Sequence, residues 1–234
     1  MESRYNDIAE NLKRIMYDIE EAAHKAGRDP EEIKLMAVTK TVPAEVVNMA
    51  VAQGIALLGE NRAQELLAKY DDYKKDSVNI HFIGHLQTNK VKQIIDKVSM
   101  IHSVSSIKLA AEIDKQAASA GKSCDVLIEV NVGEEDSKSG VSPAGVHELA
   151  AEISQLKAVN LRGLMTIPPI CDDIYESEVY FERVYKLFVD MQAKNVDNRN
   201  IDILSMGMSQ DFPAAIKHGS NIIRIGTALF GLRN

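Results

Sequence analysis

The amino-acid sequence predicts an α/β protein built as one (β/α)8 TIM barrel, and three observations lead there. Short runs of β-branched or large aliphatic residues recur eight times, and segments with helical spacing of apolar residues lie between them. No Pro/Gly-rich linker, low-complexity tract or shift of composition divides the chain. Its 234 residues suit eight βα units, which typically take about 250, better than an open sheet.

The elements follow in order. Ile8, Leu12, Ile15, Met16, Ile19, Ala22, Ala23 and Ala26 recur at three- and four-residue spacing and Gly27 comes next, so an extra N-terminal helix precedes the first strand. Strands are expected at residues 34–39, 55–59, 79–84, 100–104, 125–131, 161–167, 201–206 and 221–226. Helices are expected at 44–53, 63–73, 90–97, 107–120, 143–156, 179–193 and 212–218. The run Val126-Leu-Ile-Glu-Val is nearly continuous in apolar character, as a parallel strand covered on both faces requires. Residues 1–234 are therefore expected to form a single domain.

Composition removes whole classes of function. With 27 basic and 34 acidic residues the net charge is −7, which disfavours binding to a nucleic-acid backbone. Aromatic residues make up 5% and Trp is absent, so stacking platforms for single strands are scarce. No apolar run approaches the ~20 residues that cross a bilayer, and Met1-Glu-Ser-Arg-Tyr-Asn-Asp has no signal-peptide core. The expectation is a cytoplasmic protein without membrane or nucleic-acid partners. Cys124 and Cys171 lack metal spacing and read as two reduced, half-buried thiols.

The chemistry gathers at strand exits. Leu35-Met-Ala-Val-Thr ends in Lys40, which at a barrel mouth is either an amine nucleophile toward an aldehyde or a lysine that snorkels to solvent. Strand 7 leaves through Ser205-Met-Gly-Met-Ser209 and strand 8 through Arg224-Ile-Gly226-Thr227, the two places where barrels commonly hold a phosphate. Arg224 interrupts an apolar strand, so it faces the mouth or forms an ion pair within the wall. Because closure puts strand 8 beside strand 1, Lys40, the phosphate loops and Arg224 share one volume. That set suits pyridoxal 5′-phosphate: aldehyde, phosphate and ring nitrogen each meet a fitting group. Asn61, at the exit of strand 2, either bonds a polar ring substituent or caps a helix. His81 and His85 stand ~13 Å apart if both are in a strand, too far to share a metal, and His85 lies near the mouth or is satisfied by local backbone.

The segments Leu-Met-Ala-Val-Thr-Lys40-Thr, Leu-Gly-Glu-Asn61, His-Phe-Ile-Gly-His85-Leu-Gln-Thr-Asn-Lys, Asn131 with Lys138-Ser-Gly, Leu-Arg-Gly-Leu-Met-Thr-Ile-Pro, Leu-Ser205-Met-Gly-Met-Ser-Gln-Asp and Arg224-Ile-Gly-Thr-Ala-Leu-Phe-Gly resemble, in order, the pyridoxal phosphate homeostasis protein family. That family looks like the N-terminal barrel domain of alanine racemase standing alone. The resemblance implies a Schiff base from Lys40, phosphate contacts from Ser205, Ser209, Gly226 and Thr227, and Arg224 beside the pyridine nitrogen, where it opposes ring protonation. It implies no catalytic residue and a role in vitamin B6 balance; pyridoxal phosphate-dependent apoenzymes are an expected class of partner, and the sequence does not name the recipient.

Two features set the expectation against racemase activity. The sequence stops at Asn234, directly after strand 8, so a racemase's second domain is not expected. Ile167 also stands where the racemases it resembles carry a histidine. Lys40 can serve one face of a bound amino acid, and no base is evident for the other. The alternatives are an amino-acid racemase or decarboxylase using Lys40, and a Schiff-base aldolase on a sugar phosphate, against which strand 6 carries no lysine.

Overall fold

The computed structural model describes residues 7–170, 174–194 and 200–231. Eight parallel strands close into a barrel in sequence order: β1 (Lys34–Val38), β2 (Leu57–Glu60), β3 (Asn79–Phe82), β4 (Met100–Val104), β5 (Cys124–Val130), β6 (Val159–Thr166), β7 (Ile203–Ser205) and β8 (Ile222–Ile225). The seam between β8 and β1 is parallel and sets Met36 opposite Arg224 and Ala37 opposite Ile225. The helices are α1 (Ile8–Lys25), α2 (Ala44–Ala52), α3 (Ala63–Lys69), α4 (Thr88–Ile94), α5 (Ile107–Ser119), α6 (Val146–Ile153), α7 (Ile174–Ala193), α8 (Phe212–Lys217) and α9 (Thr227–Phe230).

Alternation along the strands makes two cores. Met36, Val38, Leu57, Ile83, Met100, Leu127, Met165, Ile203 and Ile222 fill the barrel. Their outward neighbours, such as Ala37, Leu58 and Leu164, pack under the helices. α1 buries Ile8, Leu12, Ile15 and Ile19, and Gly27 at φ +67 supplies the left-handed turn that ends it. Arg28 then ties the chain to the carbonyls of Ile216 (2.9 Å) and Ser220 (2.6 Å).

The expected helix at 143–156 is a 3-10 turn, Pro143–Gly145, followed by α6, because Pro143 lacks the N–H to extend a helix backwards. α7 begins at Ile174, earlier than its apolar spacing indicates, and the four-residue α9 was too short for periodicity to show. β7 is three residues long, since the chain bends into a loop straight after Ser205. Cys124 is fully buried rather than half-buried, and burial pushes its thiol up to about 12. Cys171 lies outside the described residues.

Candidate functional site at the C-terminal mouth

Lys40 follows β1 in a turn with two supports. Thr41 adopts φ +60, uncommon for a residue with a branched Cβ, and its N–H donates to Glu65 Oε2 at 2.8 Å. Thr39, fully buried, donates from its hydroxyl to Glu60 Oε1 at 2.8 Å. Glu60 is a buried carboxylate that also meets the Tyr73 hydroxyl and Lys69 Nζ, the latter at 2.7 Å, while Lys69 donates to the Thr39 carbonyl at 3.0 Å. Burial first, and then Glu60, push the Tyr73 hydroxyl above its ordinary range, so it remains a donor. The turn is thus pinned on both sides of Lys40. The Lys40 side chain itself is exposed and makes no ion pair among the described residues.

Opposite the turn, the loops after β7 and β8 join. Ser209 Oγ lies 3.3 Å from Thr227 Oγ1 and accepts from the Ala228 N–H at 3.3 Å. Gly207, at φ +92, has no room for a side chain, since a Cβ would stand 2.6 Å from that of Ala215. Its carbonyl accepts from the Arg224 N–H at 3.0 Å. Lys40, Ser209, Arg224, Gly226 and Thr227 together with Val38 and Asp211 line one cavity of about 270 Å³.

Arg224 is the buried floor of that cavity. Its Nη1 donates to Ser205 Oγ at 2.8 Å and its Nη2 to the Thr166 carbonyl at 2.7 Å. Neither acceptor is charged, so the ion-pair alternative for Arg224 does not hold among the described residues. Burial pushes the guanidinium down to about 10, against a smaller pull from Asp211 and Glu129.

Ser205 is fully buried and off the cavity lining, with its hydroxyl between Arg224 and His102. Asn61 and His85 also lie off the cavity lining. Asn61 Oδ1 is buried without a hydrogen-bond partner, whereas exposed His85 meets Ser139 Oγ at 3.2 Å.

Two residues that the sequence reading passed over lie off the cavity lining but feel the charge of Arg224. Glu129 points inward, two positions beyond the core residue Leu127, on the strand across the barrel from β1. Burial pushes its carboxyl up to about 7, opposed by Arg224, and its Oε2 is buried without a partner. The nearest charge that acts on it is that of Arg224. His102 is the other, and it bonds His81 as well as Ser205. An acid or imidazole within a strand otherwise apolar was the available signal, the one already used for Arg224.

A primary amine, clustered hydroxyl and glycine N–H donors, and a donor-only guanidinium around one cavity match the chemistry of a phosphorylated pyridine aldehyde. The comparisons with known proteins agree. The family model for the alanine racemase N-terminal domain matches residues 11–234. The pyridoxal phosphate homeostasis protein of Aquifex aeolicus is 44% identical over 227 residues, covering 97% of this chain and 99% of that protein. This chain belongs to the pyridoxal phosphate homeostasis protein family. The Escherichia coli K12 member of that family is 39% identical over 98% of each chain. Among solved structures, PipY of Synechococcus elongatus PCC7942, with PLP bound, superposes with a TM-score of 0.83 at 32% identity over 96% of this chain and 100% of that one. An alanine racemase from Clostridium difficile 630 shares the fold alone, with a TM-score of 0.71 at 20% identity over 57% of its length.

Proposed function

We infer that residues 1–234 act as one pyridoxal 5′-phosphate-binding domain that serves the intracellular homeostasis of this cofactor without turning over a substrate. The observation that carries the reading is the convergence of Lys40, Ser209, Arg224, Gly226 and Thr227 on a single cavity. When bound, the cofactor supplies an aldehyde that condenses with a primary amine. Lys40 is that amine, held by the Thr39 and Glu65 contacts. The Ser209 and Thr227 hydroxyls and the N–H of Gly226 donate to the phosphate. Arg224 has no lone pair to accept a proton's bond, so it donates to the ring nitrogen and keeps it unprotonated, which weakens carbanion chemistry. Asn61 and His85 stand at the exits of β2 and β3 as contacts to polar ring substituents.

Support comes from relatives named for pyridoxal phosphate homeostasis and from the PLP-bound PipY structure. Apoenzymes that require the cofactor are the recipients on this reading, and the cytoplasm is where they would be met. No helix among the described residues is long and apolar enough to cross a membrane. The absorbance spectrum of the purified protein tests the proposal. A visible band that borohydride bleaches, with the adduct on the Lys40 peptide, is expected. A colourless protein trapped by borohydride only in the presence of a sugar phosphate would instead establish the aldolase.

Glu129 favours one second reading, proton chemistry on an amino acid, because it puts a group titrating near neutrality across from Lys40. Incubation of the loaded protein with alanine or serine in deuterated water decides it. Slow α-proton exchange without inversion is expected, whereas turnover at ~1–10³ s⁻¹ would establish an enzyme.

A further inference from the structure

A polar line crosses the largely apolar barrel interior. Arg224 Nη1 meets Ser205 Oγ at 2.8 Å, Ser205 Oγ meets His102 Nδ1 at 3.1 Å, and His102 Nε2 meets His81 Nδ1 at 2.9 Å. His81 in turn lines a second cavity, of about 680 Å³, at the N-terminal ends of the strands. The line therefore runs from the mouth to the far end of the barrel through residues of β8, β7, β4 and β3.

We propose that this line has one direction, with both imidazoles in the Nε2–H tautomer, and that it positions Arg224 as a fixed cationic donor at the mouth. The direction follows from the donor inventory. A guanidinium only donates, so Ser205 Oγ accepts from Arg224. The hydroxyl hydrogen of Ser205 then needs an acceptor, and His102 Nδ1 is the one within reach. If His102 donated from Nδ1 instead, the serine hydrogen would be buried without a partner, at a cost that native interiors avoid. With Nδ1 accepting, the proton of a neutral His102 is on Nε2 and donates to His81 Nδ1. His81 then carries its own proton on Nε2, toward the far cavity.

The electrostatics agree with that order. Burial pushes His81 down to about 4, helped by Lys34 and opposed by Asp125, and pushes His102 well below its ordinary value, helped by His81 and Arg224. Both rings are uncharged at neutral pH. Each then turns its lone-pair nitrogen, the negative end of its dipole, toward Arg224. Asp211 and Glu129 act on Arg224 only at a distance and no carboxylate bonds it among the described residues, so the two oriented rings and the Thr166 carbonyl are its nearest stabilising dipoles. His81, His102 and Ser205 are positioning residues, acting through Arg224.

The line itself does not depend on the proposed cofactor, but its effect on a ring nitrogen rests on that reading, and two measurements separate them. Ring ¹⁵N–¹H correlation on the histidine-labelled full chain without ligand is expected to show both His81 and His102 as neutral Nε2–H tautomers from pH 6 to 8. An Nδ1–H or doubly protonated His102 overturns the proposal whatever the protein binds. The second measurement compares binding of pyridoxal phosphate with that of its analogue carrying C–H in place of the ring nitrogen. His102→Leu is expected to reduce the preference for pyridoxal phosphate about tenfold, while His102→Asn, which keeps an acceptor for Ser205, retains it within threefold. Equal preference in the wild type and His102→Leu overturns the positioning role. If neither ligand binds the wild type, the functional reading fails and the tautomer measurement still decides the line. If His102→Leu fails to fold, Ser205→Ala replaces it, with the same loss expected.

Discussion

Both ends of the barrel offer a cavity flanked by a lysine and an arginine: Lys34 and Arg162 at the N-terminal end, Lys40 and Arg224 at the C-terminal mouth. The arginines differ in what they touch. Arg162 reaches Asp125 and Asp202 at 2.7 Å each, and hydrogen bonds to Asp202 raise its already high pKa. Its charge is spent on pinning β5 and β6 to the segment before β7. Arg224 has only a hydroxyl and a carbonyl, so its charge remains available to a ligand. The larger cavity therefore lies where the arginine's charge is neutralised, and the smaller where it is not. Size alone points to the N-terminal end; unspent charge points to the end at which barrels do chemistry.

The largest expected effect breaks the symmetry of the lysines. Lys40→Ala abolishes the visible band and the borohydride adduct while circular dichroism and Tm stay close to wild type, because Lys40 lies in an exposed turn outside the packed layers. Lys34→Ala keeps both. An adduct that persists in Lys40→Ala, or appears on a Lys34 peptide, reverses the assignment of the ends.

The arginines should part in the opposite senses. Arg162→Leu costs about 1–2 kcal/mol of stability, since Asp125 keeps Asn160 as a donor and water screens the half-exposed Asp202, and leaves pyridoxal phosphate binding within a few fold. Arg224→Leu destabilises less, because removing a buried cation offsets the unpaired Thr166 carbonyl, but weakens binding of the cofactor at least tenfold. Urea unfolding and fluorescence titration of the two variants give the four numbers. A binding loss in Arg162→Leu equal to that in Arg224→Leu would mean that the ends are not separate.

Much of this contrast was legible in the sequence. Eight apolar runs gave the barrel, and Lys40, Ser209, Arg224, Gly226 and Thr227 met in one cavity because strand closure leaves them no other neighbourhood. What was missed shares a cause, which is neglect of the two-residue alternation within strands. Ser205 follows Ile203 on the inward face of a tightly filled barrel, which buries it beneath the mouth. His81 and Met100, and with them His102, alternate inward on adjacent strands, yet a pair 21 residues apart is invisible to local spacing. Glu129 was absorbed into the apolar run that identified its strand. Side-chain contacts such as the Glu60, Lys69 and Tyr73 cluster depend on helix packing angles, and no pattern of residue types encodes those.

The phosphate loops provide a finer test of which end holds the ligand. Ser209→Ala and Thr227→Val should each weaken pyridoxal phosphate binding by about 1–3 kcal/mol, the cost of a lost hydrogen bond to a charged group, and leave unphosphorylated pyridoxal almost unaffected. Isothermal titration with both ligands measures it. Equal weakening of the two would move the phosphate away from these hydroxyls.

The smallest effect lies within one strand. Asp125 and Glu129 stand four residues apart on the inward face of β5, one at each end of the barrel. Asp125 is satisfied by Arg162 at 2.7 Å and Asn160 at 2.9 Å, whereas Glu129 Oε2 is buried without a partner and its carboxyl is pushed up to about 7. In the unfolded chain a glutamate titrates near ~4.3, so between about pH 4.5 and 7 the folded protein holds a proton that the unfolded one has released. Wild-type stability owed to this group is complete at low pH, falls across that interval and is lost above the folded pKa. Glu129→Gln has nothing to ionise there. The stability of Glu129→Gln relative to wild type should therefore rise by about 1–2 kcal/mol on going from pH 5 to pH 8, part of the burial penalty being relieved by water at the mouth. Urea unfolding of both proteins across this range gives the difference directly, with all other titrating groups cancelling. A difference that stays level with pH, or falls, would mean that Glu129 ionises normally and that the mouth is wetter than its buried Oε2 indicates.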